Sequence, residues 1–267
     1  MKLLTINVHA WLEEEQEEKL ATLAQTIAAR NYDVIALQEV NQLRTRHLVT
    51  RDLRKDNYGL RLLERLRQIG NTSYSYYWSH SHIGYDRYEE GVALLTSLPI
   101  YEVDAFYCSQ HQTVDSILSR KIVGLTVDYQ GQLVDVYSCH MNLPNSPGEN
   151  QLDNVRTILD RTPSKHLKIL MGDFNTDAFS EHSTYQAITQ LGLYDSYQLA
   201  AERDKGVTVA KAIDGWTDQA QEKRLDYIFF NQEIPVHRHQ VVFNGENLPI
   251  ISDHFGVEVV CNIKQTN

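Results

Sequence analysis

The chain has 267 residues, of which 42% are hydrophobic and 22% are charged, with 13 glycines and 6 prolines. This composition is typical of a globular protein and excludes a disordered or fibrous chain. The formal net charge is −10, from 25 lysines and arginines against 35 aspartates and glutamates. Because proteins that bind nucleic acid through its backbone are usually basic, this charge disfavours nucleic acid as a partner.

The three cysteines, Cys108, Cys139 and Cys261, lie in apolar segments and show no CxxC spacing. We expect buried, unpaired thiols, which are typical of a reducing compartment. No apolar run approaches the roughly 18 residues of a membrane span, and the first residues lack the pattern of a signal peptide. The prediction is a cytoplasmic protein with no membrane association, and the sequence indicates no obligate protein partner.

The first part of the chain is predicted to alternate between strands and amphipathic helices. Residues 2–8 form an apolar, β-branched run typical of a strand, and residues 33–40 form another that is apolar almost throughout. Between them, residues 13–29 repeat apolar side chains at helical spacing, and their first glutamates are predicted to be a solvated helix start. A second helical pattern covers about 57–69 and stops at Gly70.

The remainder is dominated by strand patterns. Residues 74–90 are rich in tyrosine, tryptophan and histidine without a regular period, which predicts a strand leading into an exposed aromatic loop. Since no repeat or linker-like tract interrupts the order, residues 1–267 are interpreted as one α/β domain with two packed sheets and helices outside. Further strands are predicted at 91–96, 122–127, 133–139, 167–171, 225–230, 236–243 and 257–261, and helices near 150–160 and 181–191.

Several predicted strands end in an amide, acidic or histidine side chain where the apolar run stops. Strand ends of a layered sheet protein meet at one edge, so these side chains are expected to share one cleft. Carboxylates and amides suit Mg²⁺ or Mn²⁺, whereas zinc prefers cysteine and histidine at short spacings. The expected cofactor is therefore Mg²⁺, with Mn²⁺ as a substitute. The residues are Asn7, His9, Glu39, His140, Asn142, Asp173, Asn175, Asp226, Asp253 and His254.

These residues occur in six motifs whose order resembles that of the endonuclease/exonuclease/phosphatase superfamily. That superfamily includes pancreatic deoxyribonuclease, exonuclease III-like repair nucleases, neutral sphingomyelinases and inositol polyphosphate 5-phosphatases. The resemblance covers nearly the whole chain and implies a four-layer α/β/β/α sandwich of two mostly antiparallel sheets. It also implies metal-dependent cleavage of a P–O bond by water. The motifs are LTINVHAW (4–11), ALQEV (36–40), SCHMNL (138–143), GDFN (172–175), RLDYIFF (224–230) and SDHFG (252–256).

The resemblance also implies which residues hold the metal. Glu39 is expected to be the principal ligand, with Asn7 beside it and Asp253 at the edge of the metal site. His9 departs from the family pattern, because the repair nucleases often carry an acid two residues after the equivalent of Asn7. Both the role of His9, as a site contact or a structural residue, and the choice between one and two metals are left open.

A second group of residues is implied to act on the water and the phosphate. Asp173 and Asn175 are expected to orient both, and His140 to donate to a non-bridging oxygen. His254 is expected to contact the phosphate or accept a proton, and Asp226 to orient a histidine. These roles suit a reaction that depends on positioning and charge stabilisation, to which a base near the water adds about 10²- to 10⁴-fold.

The substrate is indicated by a narrower resemblance in three loop-bearing segments, residues 82–100, 208–216 and 241–259. They look like those of a cytoplasmic bacterial subgroup that includes maltose 6′-phosphate phosphatases. The implied substrate is a small phosphorylated sugar such as maltose 6′-phosphate, in carbohydrate metabolism. The alternative is a metal-dependent nuclease or phosphodiesterase that acts on DNA or RNA.

A phosphatase is expected to supply more positive charge than a diesterase, because a phosphomonoester is a dianion. Arg87, Arg120 and Lys211 lie in or beside the motif-bearing loops, and we expect one or more of them to reach the phosphate. The aromatic side chains of Tyr85 and Trp78 are expected to contact the rest of the substrate, because flat faces suit sugar rings and bases.

Overall fold

Two β-sheets lie face to face between helices in the computed structural model, which describes residues 1–162, 165–180, 182–213 and 221–263. The strands are β1 (Lys2–Asn7), β2 (Val34–Gln38), β3 (Gln42–Leu43), β4 (Ser75–Gly84), β5 (Tyr88–Thr96), β6 (Ile100–Tyr107), β7 (Lys121–Tyr129), β8 (Gln132–His140), β9 (Leu167–Asp173), β10 (Tyr194–Asp195), β11 (Ala200–Arg203), β12 (Asp226–Phe230), β13 (Val236–Val242) and β14 (Gly256–Cys261). The helices are α1 (Gln16–Arg30), α2 (Tyr58–Gln68), α3 (Gln151–Leu159), α4 (His182–Thr189) and α5 (Ser196–Leu199).

The two sheets are mostly antiparallel. Within the described residues, the first sheet has the order β11-β13-β14-β1-β2-β5-β3, with β4 also paired to β5, and the second has the order β10-β12-β9-β8-β7-β6. The parallel pairs are β1 with β2, β8 with β9, and β11 with β13. Because parallel neighbours end on the same side, the first two of these pairs each present two strand ends at one edge of a sheet.

Alternating side chains divide the apolar residues into three layers. In β9, for example, Ile169 and Met171 pack between the two sheets, whereas Leu170 packs with α3 and α4 on the opposite face. Leu4 and Ile6 of β1 likewise face α1 and α2. The expected four-layer α/β/β/α arrangement is therefore confirmed. All three cysteines are buried and unpaired, also as expected.

The predicted strands and helices agree with the observed ones except at their ends and at the elements that the sequence did not predict, namely β3, β6, β10, β11 and the short helix α5. β6 was missed because it lies at the edge of its sheet, where exposed residues weaken the apolar pattern. The strand predicted within 74–90 is present as β4, but the exposed aromatic loop predicted after it is confined to the turn at 85–87. The segment is a hairpin in which β4 runs to Gly84 and β5 begins at the buried Tyr88, and the three residues of the turn between them are exposed. No helix in the described part of the chain is long and apolar enough to cross a membrane.

His239 on β13 leads to a prediction about stability. Its side chain is buried, and neither ring nitrogen has a hydrogen-bond partner among the described residues. Burial lowers the pKa of His239 from 6.5 to about 4, so the folded protein carries a neutral ring there. Replacement by leucine removes no hydrogen bond, and we expect it to raise the free energy of unfolding at pH 7 by about 1 kcal/mol.

The same substitution is expected to change the pH dependence of stability. Between pH 6.5 and 4 the unfolded state binds a proton at His239 that the folded state does not, so the wild type loses stability as the pH falls. The advantage of His239→Leu should therefore grow by up to about 3 kcal/mol over this range. Urea denaturation at several pH values tests this, with the exposed His237→Leu as the control. A constant difference between pH 7 and pH 4 would contradict it.

Candidate active site

The strand ends of both sheets converge at one edge. The parallel strands β1 and β2 end at Asn7 and immediately before Glu39, and the parallel strands β8 and β9 end at the paired residues His140 and Asp173. The antiparallel strand β12 begins at Asp226, directly opposite Asp173. The topology thus places the polar ends of five strands, drawn from both sheets, around one point.

Buried hydrogen bonds below this point connect the two sheets. Gln38 Nε2 donates to Ser138 Oγ at 3.1 Å, and Ser138 Oγ donates to the carbonyl of Leu37 at 3.0 Å. Thr5 Oγ1 completes the set by donating to Gln38 Oε1 at 3.3 Å. These contacts set the spacing between the sheets where the functional side chains emerge.

Asn7 links the acidic groups of the two sheets directly. Its Nδ2 donates to Glu39 Oε1 at 2.8 Å and to Asp173 Oδ2 at 3.2 Å, while its Oδ1 accepts from the backbone amide of His9 at 3.1 Å. Asn175 lies next to this group, because its backbone amide donates to Asp173 Oδ1 at 2.8 Å. One buried amide therefore orients the two carboxylates that the sequence predicted for the metal and for the water.

Strained backbone is concentrated at the same place. His9, Glu39 and Asn175 have φ angles of 41°, 51° and 50°, in the left-handed region that non-glycine residues rarely occupy. Such conformations cost about 1–3 kcal/mol each and persist where the surrounding structure enforces them, often at functional sites. Gly172 of the GDFN motif serves close packing instead, because a Cβ atom there would lie 1.9 Å from the carbonyl oxygen of Cys139.

His254 and Asp226 form a buried pair. Nδ1 of His254 lies 2.9 Å from Asp226 Oδ2, and its Nε2 lies 3.7 Å from Asp173 Oδ2. Burial alone would lower the pKa of His254, but the charges of Asp226 and Asp173 outweigh it and hold the pKa well above 6.5. The two carboxylates therefore favour the protonated form of His254, whose Nε2 faces Asp173.

His140 occupies the other side of Asp173 in a different environment. Its Nε2 lies 3.8 Å from Asp173 Oδ2 and 3.9 Å from Glu39 Oε1, and its Nδ1 lies 3.9 Å from Glu90 Oε1. Burial and the nearby Arg120 hold the pKa of His140 well below 6.5. Their surroundings thus shift the pKa values of the two histidines in opposite directions, upward for His254 and downward for His140.

Glu90 is a site residue that the sequence reasoning missed. It is 6% exposed, and burial together with the charge of Glu39 raises its pKa to about 8, against the opposing effect of Arg120. The one sequence signal is that an acidic pair directly precedes the apolar run 91–96. It takes the β4–β5 pairing to show that Glu90 faces the cleft.

Glu13 is a second missed residue, and the interpretation of this segment as a solvated helix start is wrong for it. α1 begins at Gln16, and Glu13 accepts hydrogen bonds at 2.7 Å from both His9 Nδ1 and Lys19 Nζ. Although burial alone would raise the pKa of Glu13, these two bonds lower it to about 2. His9 is thereby held 3.7 Å from Asp253 Oδ1, at the edge of the site.

The donor set fits a hard divalent cation. Buried carboxylates converge here, and burial together with the charge of Asp253 raises the pKa of Glu39, while burial raises the pKa of Asp173 to about 7. Such a concentration of acidic groups is stabilised by a cation bound through oxygen ligands. Among the described residues, two groups have ligand atoms within 4.8 Å of one another: Asp173, Asp226 and His254, and His9, Glu13 and Asp253.

Comparison with known proteins agrees with this geometry. The profile described as "Endonuclease/Exonuclease/phosphatase family" matches residues 10–254. The chain belongs to the endonuclease/exonuclease/phosphatase family. Members of this family are metal-dependent hydrolases of phosphoesters, so the reaction class expected from the six motifs is confirmed. No curated protein sequence matches the chain.

Solved structures of the family show the same fold. An endonuclease/exonuclease/phosphatase family protein from Leptotrichia buccalis C-1013-b is 50% identical, with a TM-score of 0.94 over 98% of this chain and 100% of that chain. The mannosyl-6-phosphatase Bt3783 of Bacteroides thetaiotaomicron VPI-5482 is 18% identical, with a TM-score of 0.72 over 98% and 100%. D. rerio TDP2 complexed with a single-strand DNA product is 15% identical, with a TM-score of 0.67 over 98% and 99%.

Most of the predicted site residues of this family member line or directly support the wall of a cavity of about 560 Å³. Asn7 and Asp226 lie behind this lining and contact it through Glu39, Asp173 and His254. Arg120 belongs to the wall, and its Nε donates to Asn142 Oδ1 at 2.9 Å. The predicted residues that line the cavity are His9, Glu39, Tyr85, Arg120, His140, Asp173, Asn175, Asp253 and His254.

Lys211 lines a neighbouring cavity of about 490 Å³. This space continues the first one, because the two share four lining residues, namely His9, Tyr85, Ile213 and Asp253. Lys211 therefore lies farther from the catalytic cluster than Arg120 does along one continuous groove. Residues 214–216 of the loop motif TVAKAIDGW lie outside the described residues.

Trp78 and Arg87 are not part of the cavity lining. Trp78 donates through Nε1 to the carbonyl of Val40 at 2.9 Å and lines a separate cavity with His80. A register shift between His80 and His82 turns the later residues of β4 towards the cleft and leaves Trp78 on the opposite face. Arg87 is exposed at the hairpin turn and donates to the hydroxyl of Tyr88 at 2.6 Å.

Proposed function

We propose that this protein is a Mg²⁺-dependent phosphatase that acts on a small phosphorylated sugar such as maltose 6′-phosphate, with Mn²⁺ as a substitute cation. The observation that carries the proposal is the wall of the 560 Å³ cavity beyond the catalytic cluster. Tyr85 is 50% exposed there and Ile117 is 64% exposed, and the carboxylates of Asp86 and Asp115 lie beside them. Aromatic and apolar faces with nearby acceptors suit a hydroxyl-rich, uncharged leaving group.

The charge of the same wall argues against a nucleic acid substrate. Among the described residues that line the cavity, Arg120 is the one arginine or lysine, whereas Asp86 and Asp115 repel a polyanion. A groove for a nucleic acid strand would carry several cations along the backbone path. The fold similarity to a mannosyl-6-phosphatase is consistent with a sugar phosphate.

The mechanism follows from the residues around Asp173. Glu39, with Asn7 and Asp253, would hold the cation, which when bound would neutralise phosphoryl oxygens and favour ionisation of water. Arg120 and His140 would donate hydrogen bonds to the phosphate from the side of the cavity opposite to the cation. Asp173 and Asn175 would orient the attacking water, and the Asp226–His254 pair would stabilise the charge that develops as the P–O bond breaks.

Release of inorganic phosphate with Mg²⁺ tests the proposal, across sugar and nucleoside monophosphates that include maltose 6′-phosphate. Plasmid nicking runs alongside under the same conditions, and a chelator is added to matched samples. We expect phosphate release from a phosphorylated sugar, no nicking, and loss of activity with the chelator. Nicking without phosphate release would overturn the proposal in favour of a nuclease.

Arg120 is expected to bind the phosphate dianion. Since a charge-assisted hydrogen bond contributes about 1.5–3 kcal/mol, Arg120→Met should lower kcat/KM by about 10- to 100-fold. The matched control is Arg156→Met, because Arg156 is exposed on α3 and pairs with Asp153. Steady-state kinetics with the best monoester measures the effect. Equal kinetics in the two variants would remove Arg120 from the phosphate site.

A further inference from the structure

His82 lies on β4 opposite Glu90, beside the catalytic cluster, and is 2% exposed. Both of its ring nitrogens face acceptors. Nδ1 lies 3.2 Å from the carbonyl oxygen of Ser119, and Nε2 lies 3.3 Å from Glu90 Oε1. Because a carbonyl oxygen can only accept, the hydrogen bond to Ser119 requires a proton on Nδ1 of His82.

The position of that proton determines how Glu90 is held. A neutral ring protonated on Nδ1 offers a lone pair at Nε2, so a hydrogen bond across the 3.3 Å to Glu90 Oε1 would require Glu90 to donate its own proton. Burial favours this neutral arrangement over an ion pair, lowering the pKa of His82 to about 3 and raising that of Glu90 to about 8. Arg120, His80, Glu39 and His9 are the other charged or titratable groups that act on the pair.

The second oxygen of Glu90 is enclosed as well. A Cβ atom at position 84 would lie 2.9 Å from Glu90 Oε2, so the absence of a side chain at Gly84 makes room for this oxygen. The carboxyl group is therefore fixed between Gly84 and His82, with Oε1 3.9 Å from Nδ1 of His140. A shift of this carboxyl group would therefore change the surroundings of His140 Nδ1, on the side of the ring away from the proposed phosphate site.

We propose that His82 is a positioning residue for the phosphatase reaction, in that its Nε2 holds the Glu90 carboxyl group in place beside His140. The inference rests on the proposed function and extends it to a residue that none of the six motifs contains. The competing role is structural, with His82 anchoring residues 113–119 of the cavity wall through its hydrogen bond with Ser119. That segment is closed by a hydrogen bond from Ser119 Oγ to the carbonyl of Thr113 at 2.6 Å.

Two conservative substitutions separate these roles. Glutamine places its terminal amide near the position of Nε2 and can keep the contact with Glu90, whereas asparagine places its amide near Nδ1 and keeps the contact with Ser119. We expect His82→Asn to lower kcat by about 10- to 100-fold with KM nearly unchanged, as for other partners that orient active-site groups. His82→Gln is expected to retain most of kcat.

The matched control is His166→Gln, because His166 forms a comparable pair with Asp135 at 3.2 Å at the opposite end of β9. Thermal unfolding confirms that each variant is folded. Activity in His82→Asn equal to the wild type would overturn the assignment. A loss in His82→Gln equal to that in His82→Asn would also overturn it, because the common defect would then be packing rather than the contact with Glu90.

Nuclear magnetic resonance of ¹⁵N-labelled histidine distinguishes failure of this inference from failure of the proposed function. We expect the ring of His82 to be protonated on Nδ1, and we expect Glu90→Leu to shift the Nε2 resonance of His82. A ring without a proton on Nδ1, or an Nε2 resonance unchanged by Glu90→Leu, would overturn the inference whatever the substrate is. Absence of phosphate release in the wild type, with these resonances as expected, would overturn the proposed function alone.

Discussion

Glu39→Gln is expected to reduce the rate of phosphoester hydrolysis by at least about 10³-fold. The substitution removes several kcal/mol of charge stabilisation from the transition state, and each tenfold change in rate corresponds to about 1.4 kcal/mol. The substitution keeps the size of the side chain and one oxygen that can accept from Asn7, so the fold should be unchanged. It removes the negative charge with which the proposed principal ligand would bind Mg²⁺. Calorimetric titration with Mg²⁺ or Mn²⁺ should show weakened binding in parallel with the loss of turnover.

The control for this prediction is Glu64→Gln, which removes an exposed carboxylate on α2 that pairs with Arg61 at 3.4 Å. It should leave both cation binding and turnover near the values of the wild type. Turnover of Glu39→Gln within tenfold of the wild type would mean that the cation is bound elsewhere, and the His9, Glu13 and Asp253 group would be the next to test.

Asp226→Asn is expected to lower kcat by about 10²- to 10⁴-fold while leaving cation binding nearly intact. The aspartate is buried, and it is the largest favourable contribution to the raised pKa of His254. An amide at this position loses that charge and can donate to Nδ1, which would hold the ring neutral with its proton on Nε2. His254 would then face Asp173 without the positive charge that the Asp226 carboxylate favours.

A double-mutant cycle with His254→Gln checks the mechanism of this effect. If Asp226 acts through His254, the double variant should be no slower than the slower single variant, because the two residues work as one unit. Multiplied losses in the double variant would show that Asp226 acts separately, as a cation ligand for example. Folding of each variant is verified by circular dichroism.

The polar residues at strand ends could be predicted because each follows an apolar run directly along the chain. Asn7, Glu39 and Asp173 were assigned in this way. In the structure, Glu39 and Asp173 both lie within hydrogen-bond distance of the side-chain amide of Asn7. Their roles stay predictions until the substitutions are measured. Glu90 and Glu13 could not be found in the same way, since neither ends a strand and charged residues on strands and near helix starts are usually solvated.

The position of Trp78 shows the same limit for substrate contacts. An aromatic residue in a segment of mixed composition has two possible faces, and a single register shift between His80 and His82 decides between them. That shift depends on pairing with β5, so it is invisible in the sequence of β4 alone. This register shift therefore places His82 and the later residues of β4 at the catalytic cavity and leaves Trp78 and His80 at the separate cavity.

By itself, the amino-acid sequence determined the reaction class, the order of the elements and the strand-end residues, because apolar periodicity and six short motifs are local properties of the chain. The tertiary structure decided how these residues face one another. Contacts between β4 and β5, and between the two sheets, set the opposite pKa shifts of His140 and His254 and the direction in which Glu90 points. The folded segment between β1 and α1 brings Glu13 onto His9. Protonation and orientation depend on burial and on charges far apart in sequence, and only the folded chain brings those together.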